Sequence, residues 1–278
     1  MKSALSAIVL LSLAAPAAAQ TPSDWRTPDP ENILVVETNK GRIIVEMEPN
    51  VAPAHVERYR TLARKGFYDG LEFFRVIEGF MDQTGDPQNN GTGGSDLPDL
   101  EAEFPFRRGA SVPFVEAAKL PADNAVPQAT EVGFVGVVPV RSAPSMQMMI
   151  SVDGKAPAWG LFCQGVMGAA RSNNPNSANS QFFFMRGPYA SLDGQYTAWG
   201  RVISGQDVVV AIKTGEPVAP PRDVMKSVKV LADIPAAQRP KIQVMDTRGP
   251  AFKALIDKAR GADGRVDPCA IEIPAKIG

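Results

Sequence analysis

Apolar and polar positions alternate over short stretches for most of this chain, and a helical period is sustained in only a few places. Residues 33–38 and 42–48 are rich in β-branched side chains and flank Asn39-Lys40-Gly41, which predicts a hairpin. Pro53 then sits at a first helical position and Gly66 at a C-cap, with Val56, Tyr59, Leu62 and Ala63 on one face between them. His55 falls away from that face and reads as a solvated surface residue. Residues 71–77 and 80–83 predict strands broken by Glu78-Gly79, followed by the flexible loop Gly91-Thr92-Gly93-Gly94. From about Asp96 to Ala158 prolines recur and no helical period holds. A structureless loop of that length is rare inside a compact domain, so a small sheet or hairpin is expected there, with residues 133–140 and 146–152 as candidate strands. Met146, Met148 and Met149 are a soft cluster suited to adaptable binding, although methionine more often fills a core. Regularity returns with strands expected over 180–185 and 196–203, a short helix over 206–213 and a last strand over 224–231. Residues 235–278 look appended, with a strand over 241–245 and a helix over 250–260. Short strands dominate between Ile33 and Leu231, with two helices at opposite ends of the order. The pattern predicts a mainly β chain, a closed barrel capped by two helices.

Composition narrows the chemistry. The 278 residues are 44% apolar and 21% charged, enough to bury a sizeable core. Lys plus Arg is 29 and Asp plus Glu is 30, so nothing draws the chain toward nucleic acid or an anionic membrane. With one His and two Cys, a four-ligand Cys/His zinc site cannot be built, and any Ser-His-Asp or Cys-His site would have to use His55. Residues 1–20 have the zones of a secretory signal: Lys2, an uncharged apolar run from Ala4 to Ala15, and Ala17-Ala18-Ala19 for cleavage near Ala19. The run is short of the ~20 apolar residues that span a bilayer. Export without a membrane anchor is therefore expected. Residues 21–32 read as an extended leader. In an oxidising destination, Cys163 and Cys269 are either a disulfide closing a loop of about 100 residues or two separate buried thiols.

Three blocks carry the functional signal: Phe73-Phe74-Arg75-Val76-Ile77-Glu78-Gly79-Phe80-Met81-Asp82-Gln83-Thr84-Gly85-Asp86-Pro87 with Gly91 to Gly94; Ala170-Arg171 through Asn179-Ser180-Gln181-Phe182-Phe183; and Leu192-Asp193-Gly194-Gln195-Tyr196 through Trp199-Gly200-Arg201-Val202. In order and spacing they resemble the cyclophilin family of peptidyl-prolyl isomerases, in its bacterial exported form. The resemblance covers roughly residues 33–109 and 165–231. It implies an eight-stranded cyclophilin-like barrel over 33–234, with about fifty residues inserted near 110–165 and a C-terminal extension, 235–278, packed on the domain. It implies a periplasmic monomer acting on proline-containing unfolded or extended polypeptides.

The residue types fit that chemistry. A prolyl amide is held planar by a barrier of about 18–20 kcal/mol, and twisting it needs no nucleophile, metal or cofactor. It needs an apolar pocket for the ring and a donor that favours the twisted nitrogen. The resemblance places Arg75, Gln83 and Phe80 in the catalytic roles, with Arg75 facing the substrate proline. It makes Phe80, Met81, Phe183 and Leu192 the proline pocket, and puts Gly91, Ala170, Arg171, Gln181 and Tyr196 along the peptide groove. The chain departs from many relatives at Phe74 and Tyr196, where they carry His, at Arg171, where they carry Asn, and at Ser191, where they carry Trp. The last change predicts weak binding of the cyclic peptide cyclosporin. The inserted segment leaves a second reading open: a proline-peptide binding or chaperone module with incidental turnover.

Overall fold

The computed structural model describes residues 24–122, 128 and 130–278. The signal-like residues 1–20 and the first part of the leader lie outside the described residues. In chain order the strands and helices are β1 Trp25–Arg26, β2 Ile33–Thr38, β3 Arg42–Met47, α1 Pro53–Arg64, β4 Arg75–Ile77, β5 Met81–Thr84, β6 Phe106–Arg108, β7 Phe114–Leu120, β8 Thr130–Val135 and β9 Val138–Ser142. They continue with α2 Gln147–Ile150, β10 Ala156–Gly160, β11 Val166–Ala169, β12 Phe182–Met185, β13 Ala198–Ser204, α3 Gln206–Ala211, β14 Met225–Val230, β15 Ile242–Met245, α4 Pro250–Ala259 and β16 Ala275–Ile277.

Eight strands form one antiparallel sheet in the order β14-β2-β3-β13-β11-β12-β5-β4. It curls until its two edges meet: Glu72, just before β4, bridges Val224, just before β14, and Phe73 N–H donates to the Asp223 carbonyl at 2.9 Å. The apolar run at the start of β2 is explained by cover on both faces. Leu34 and Val36 pack with Val56, Tyr59 and Leu62 of α1, while Ile33 and Val35 belong to the cluster that holds Val244 and Phe252 of the C-terminal segment. Inside the barrel the Tyr59 ring lies 4.4 Å from Trp199, and Phe182 sits edge-on to both.

His55 is not the solvated residue its position on the helical face predicts. It is fully buried, and its Nδ1 lies 2.6 Å from Glu103 Oε2. Ala52 at the N-cap has no side chain to cap α1, and Glu103 substitutes, accepting the N–H groups of Ala54 and His55 at 3.0 Å each.

The proline-rich region builds a five-stranded antiparallel sheet, β6-β10-β9-β8-β7. Residues 146–152 are not a strand in it. They hold the short helix α2 in the β9–β10 connection, and Met146 and Met149 are 75% and 84% exposed rather than filling a core. This second sheet abuts the barrel at Gly160, where an added Cβ would stand 2.5 Å from the Ala198 Cβ. The C-terminal residues add a three-stranded sheet, β1-β15-β16, and α4, whose Phe252 packs edge-on to Phe134 of β8 at 5.1 Å. Part of the expected leader is thus a strand, β1, paired to β15. Cys163 and Cys269 are joined in a disulfide that ties this segment to the barrel.

Candidate active site

The site is built on a row across four strands. Arg75 in β4 is directly opposite Gln83 in β5, Gln83 is opposite Phe183 in β12, and Phe183 is opposite Gly168 in β11. Facing residues in an antiparallel sheet share a face, so these side chains project together. Their neighbours Val76, Asp82, Phe184 and Met167 point the other way and are buried. Glycine is required at 168. A Cβ there would meet the Phe183 ring at 2.1 Å and the Phe162 ring at 2.8 Å. Its absence lets Phe183 lie across the sheet, stacked on Phe162 at 5.9 Å.

A chain of hydrogen bonds runs along this row. Arg75 Nε donates to Glu216 Oε1 at 2.6 Å, and Arg75 Nη1 donates to Gln83 Oε1 at 3.3 Å. Gln83 Nε2 donates to Gln181 Oε1 at 2.9 Å. Gln181 Nε2 in turn donates to the carbonyls of Gly93 and Gly91, at 2.8 and 3.2 Å. The glycine loop at the far end is itself held by Asp86, which accepts the N–H groups of Gln88, Asn90 and Gly91. Burial alone would raise the Asp86 carboxyl, but these donors with Gly93 outweigh it and hold its pKa below the ordinary value.

The apolar half lies beside the row. Met81, Phe183 and Leu192 are buried in one cluster, with Phe80, Ala170 and Tyr196 partly buried against it. Gln83, Gly91, Ala170, Arg171 and Gln181 line one cavity of about 450 Å³. Arg171 stacks over the Tyr196 ring at 4.2 Å and donates through Nη2 to the Gln195 carbonyl at 2.8 Å, which fixes the groove edge. Arg75, Gln83 and Gln181 are thus joined by hydrogen bonds beside Phe183, and Gln83 and Gln181 share their cavity with Gly91, Ala170 and Arg171.

Three neighbours were not expected. Glu216 comes from a proline-rich loop with no local pattern. Tyr189 is 44% exposed and packs on Phe80 with the rings tilted by 35° and their centres 4.3 Å apart. Trp159 of β10 packs against the turn after Leu192, where a Cβ on Gly194 would touch its ring at 3.5 Å. The second sheet thus reaches the pocket rim. A Cβ at 194 would make only ordinary contact with that indole, and what favours glycine there is the backbone, at φ +65°. Burial raises the adjacent Asp193 carboxyl to about 6, against the Phe162 N–H that donates to it at 2.8 Å.

Comparison with known proteins gives one answer. Residues 33–232 match the family model described as cyclophilin type peptidyl-prolyl cis-trans isomerase. A probable peptidyl-prolyl cis-trans isomerase of Brucella suis is 35% identical over 226 residues, covering 77% of this chain and 86% of that protein. The human peptidyl-prolyl cis-trans isomerase-like 1 is 32% identical over 149 residues, covering 54% of this chain and 81% of its own length. Among solved structures, cyclophilin AquaCyp293 from Hirschia baltica superposes with a TM-score of 0.81 at 33% identity, over 91% of this chain and 93% of that one.

Proposed function

The chain belongs to the cyclophilin-type peptidyl-prolyl cis-trans isomerases, and we propose that it turns X-Pro bonds of exported proteins as they fold, by non-covalent stabilisation of the twisted amide. The observation that carries the mechanism is the linked row Arg75–Gln83–Gln181 beside Phe183.

In this reading the proline ring enters the apolar pocket of Phe80, Met81, Phe183 and Leu192. Burying its three methylenes is worth about 2 kcal/mol, which holds the substrate but does not by itself speed rotation. The rate comes from Arg75. As the amide twists, its nitrogen loses resonance, pyramidalises and becomes a hydrogen-bond acceptor. Arg75 Nη2 makes no hydrogen bond among the described residues, so it is available to that nitrogen or to the adjacent carbonyl. A bond made only in the twisted state lowers the barrier, each 1.4 kcal/mol giving about tenfold in rate. No proton is transferred and no covalent bond forms. Gln83 holds the guanidinium through Nη1. The substrate backbone lies extended along Gly91, Ala170, Arg171, Gln181 and Tyr196, as in strand addition.

Two features support action on exported chains: the signal-like residues 1–20 and a disulfide, which persists in oxidising compartments. Slow prolyl isomerisation, tens to hundreds of seconds uncatalysed, is the step such an enzyme relieves. The test is exchange NMR on a short X-Pro peptide with wild type and Arg75→Ala. We expect rapid exchange in the wild type and a loss of about a hundredfold or more in the variant. Equal exchange in both would remove Arg75 from the mechanism.

A further inference from the structure

We propose that Glu216 is a positioning residue for the isomerase reaction: it sets the guanidinium of Arg75 so that Nη2 faces the substrate. The inference rests on Arg75 acting at the proline.

Arg75 is a long side chain, 37% exposed, on the short strand β4. Its bond to Gln83 is long, at 3.3 Å, and holds one nitrogen only. The 2.6 Å bond from Nε to Glu216 is short and charge-assisted, roughly twice as strong as a neutral one. Two anchors at different nitrogens define the plane of the fork, and Nη2 makes no hydrogen bond among the described residues. The backbone that carries this carboxylate is held in place. On one side of it, Gly215 exchanges both backbone hydrogen bonds with Val76, the neighbour of Arg75, at 2.8 Å each. On the other side, Val218 N–H donates to the Phe74 carbonyl at 2.9 Å. The loop after α3 is thus stitched to β4 on both flanks of Arg75, and Glu216 is delivered to it across 141 residues of sequence.

An ion pair this exposed contributes little to folding stability. Its effect belongs in turnover instead, because misplacing a catalytic group slows the reaction without weakening the pocket. Glu216 also offsets part of the positive charge of Arg75. The two roles separate in Glu216→Gln, whose carbonyl oxygen still accepts from Nε while the charge is gone.

The experiment is exchange NMR at saturating X-Pro peptide on wild type, Glu216→Ala, Glu216→Gln, Arg75→Ala and the double alanine variant, with peptide affinity and thermal midpoint measured on each. Glu216→Ala is expected to lower kcat about five- to tenfold with affinity and midpoint unchanged. Glu216→Gln is expected to recover most of the loss, and the double variant to match Arg75→Ala alone. A collapse in Arg75→Ala with full activity in Glu216→Ala overturns the positioning role and leaves the reading of Arg75 intact. Independent, multiplicative losses in the double variant overturn it as well. Glu216→Gln faster than wild type would assign the carboxylate to charge attenuation instead. Full activity in Arg75→Ala overturns the positioning role together with the reading beneath it.

Discussion

Neighbours of different kinds converge on Arg75: an amide from the next strand, a carboxylate from a distant loop and an aromatic wall two strands away. The amide and the wall were legible in the sequence, because Arg75, Gln83 and Phe183 sit on strands whose alternation puts them on one face. Glu216 was not, since nothing local distinguishes a Glu in a proline-rich loop. His55 misled for a related reason. Helical periodicity places it off the buried face, but the residue that buries it, Glu103, comes from elsewhere in the chain. At this scale Asp193 gives a pH signature. Its folded pKa of about 6 lies above the ordinary 3.8, so the folded state holds the proton more tightly than the unfolded one. The stability it contributes is present below about pH 4 and lost as pH rises through about 6. Asp193→Asn keeps an oxygen for the Phe162 N–H and carries no charge. Denaturant titrations from pH 4 to 7 should show the variant gaining on wild type by on the order of 1 kcal/mol, after allowance for solvent screening of a partly exposed group. A constant difference across that range would contradict the assignment.

The elements differ in how much of them the sequence reveals. Strands of the barrel are short but have neighbours nearby in the chain, as in the β2–β3 hairpin. In the second sheet β8 and β9 form a tight hairpin, but prolines interrupt the periodicity and β6 pairs β10 only after some fifty residues, so the register of that edge is a tertiary fact. Residues 146–152, apolar except for Gln147 and Ser151, likewise read as a strand and fold as part of an exposed connection. The sheet also carries a polar device inside. Arg108 and Glu131, 4% and 5% exposed, pair at 3.4 Å, with Ser142 and Ser145 accepting from the Arg108 guanidinium and Ser145 donating to Glu131. Glu131→Ala would leave a buried cation unpaired and should cost about 3–5 kcal/mol, whereas Arg108→Met combined with Glu131→Leu should cost much less. Chemical denaturation of both variants checks this. Equal losses would mean that the pair stabilises the sheet beyond what hydrophobic replacement can supply.

For the molecule as a whole, three sheets are held in one body by a shared apolar cluster and one covalent tie. Ile242, Val244, Phe252 and Ile271 of the C-terminal segment pack in the same cluster as Phe134 of the second sheet and Phe183 of the site. The disulfide spans 106 residues of sequence. Closing a loop of that length stabilises the fold by about 4–5 kcal/mol in the chain-entropy model, or roughly 10 °C in midpoint for a chain of this size. Reduction, or the Cys163→Ala/Cys269→Ala variant, should lower the thermal midpoint by about that amount and leave isomerase activity at 25 °C intact, because neither sulfur belongs to the pocket. An unchanged midpoint would show that packing alone secures the C-terminal segment. The overall architecture was legible as a capped barrel because strand spacing and the two flanking helices fix it. That the last forty residues pack on the domain was expected, but where they dock was not legible, since their partners, β1 and β8, carry no pattern that names them.

The central claim is that Arg75 acts on the twisted amide and not on the bound substrate. The most direct measurement is peptide affinity and on-enzyme exchange rate, taken together by NMR line-shape analysis, for wild type and Arg75→Lys. Lysine keeps the charge but has no planar fork to span Glu216, Gln83 and the substrate at once. Affinity within about twofold of wild type and exchange slowed at least tenfold is the predicted result. Affinity and exchange falling in parallel would mean that Arg75 binds the substrate uniformly, and would contradict the account.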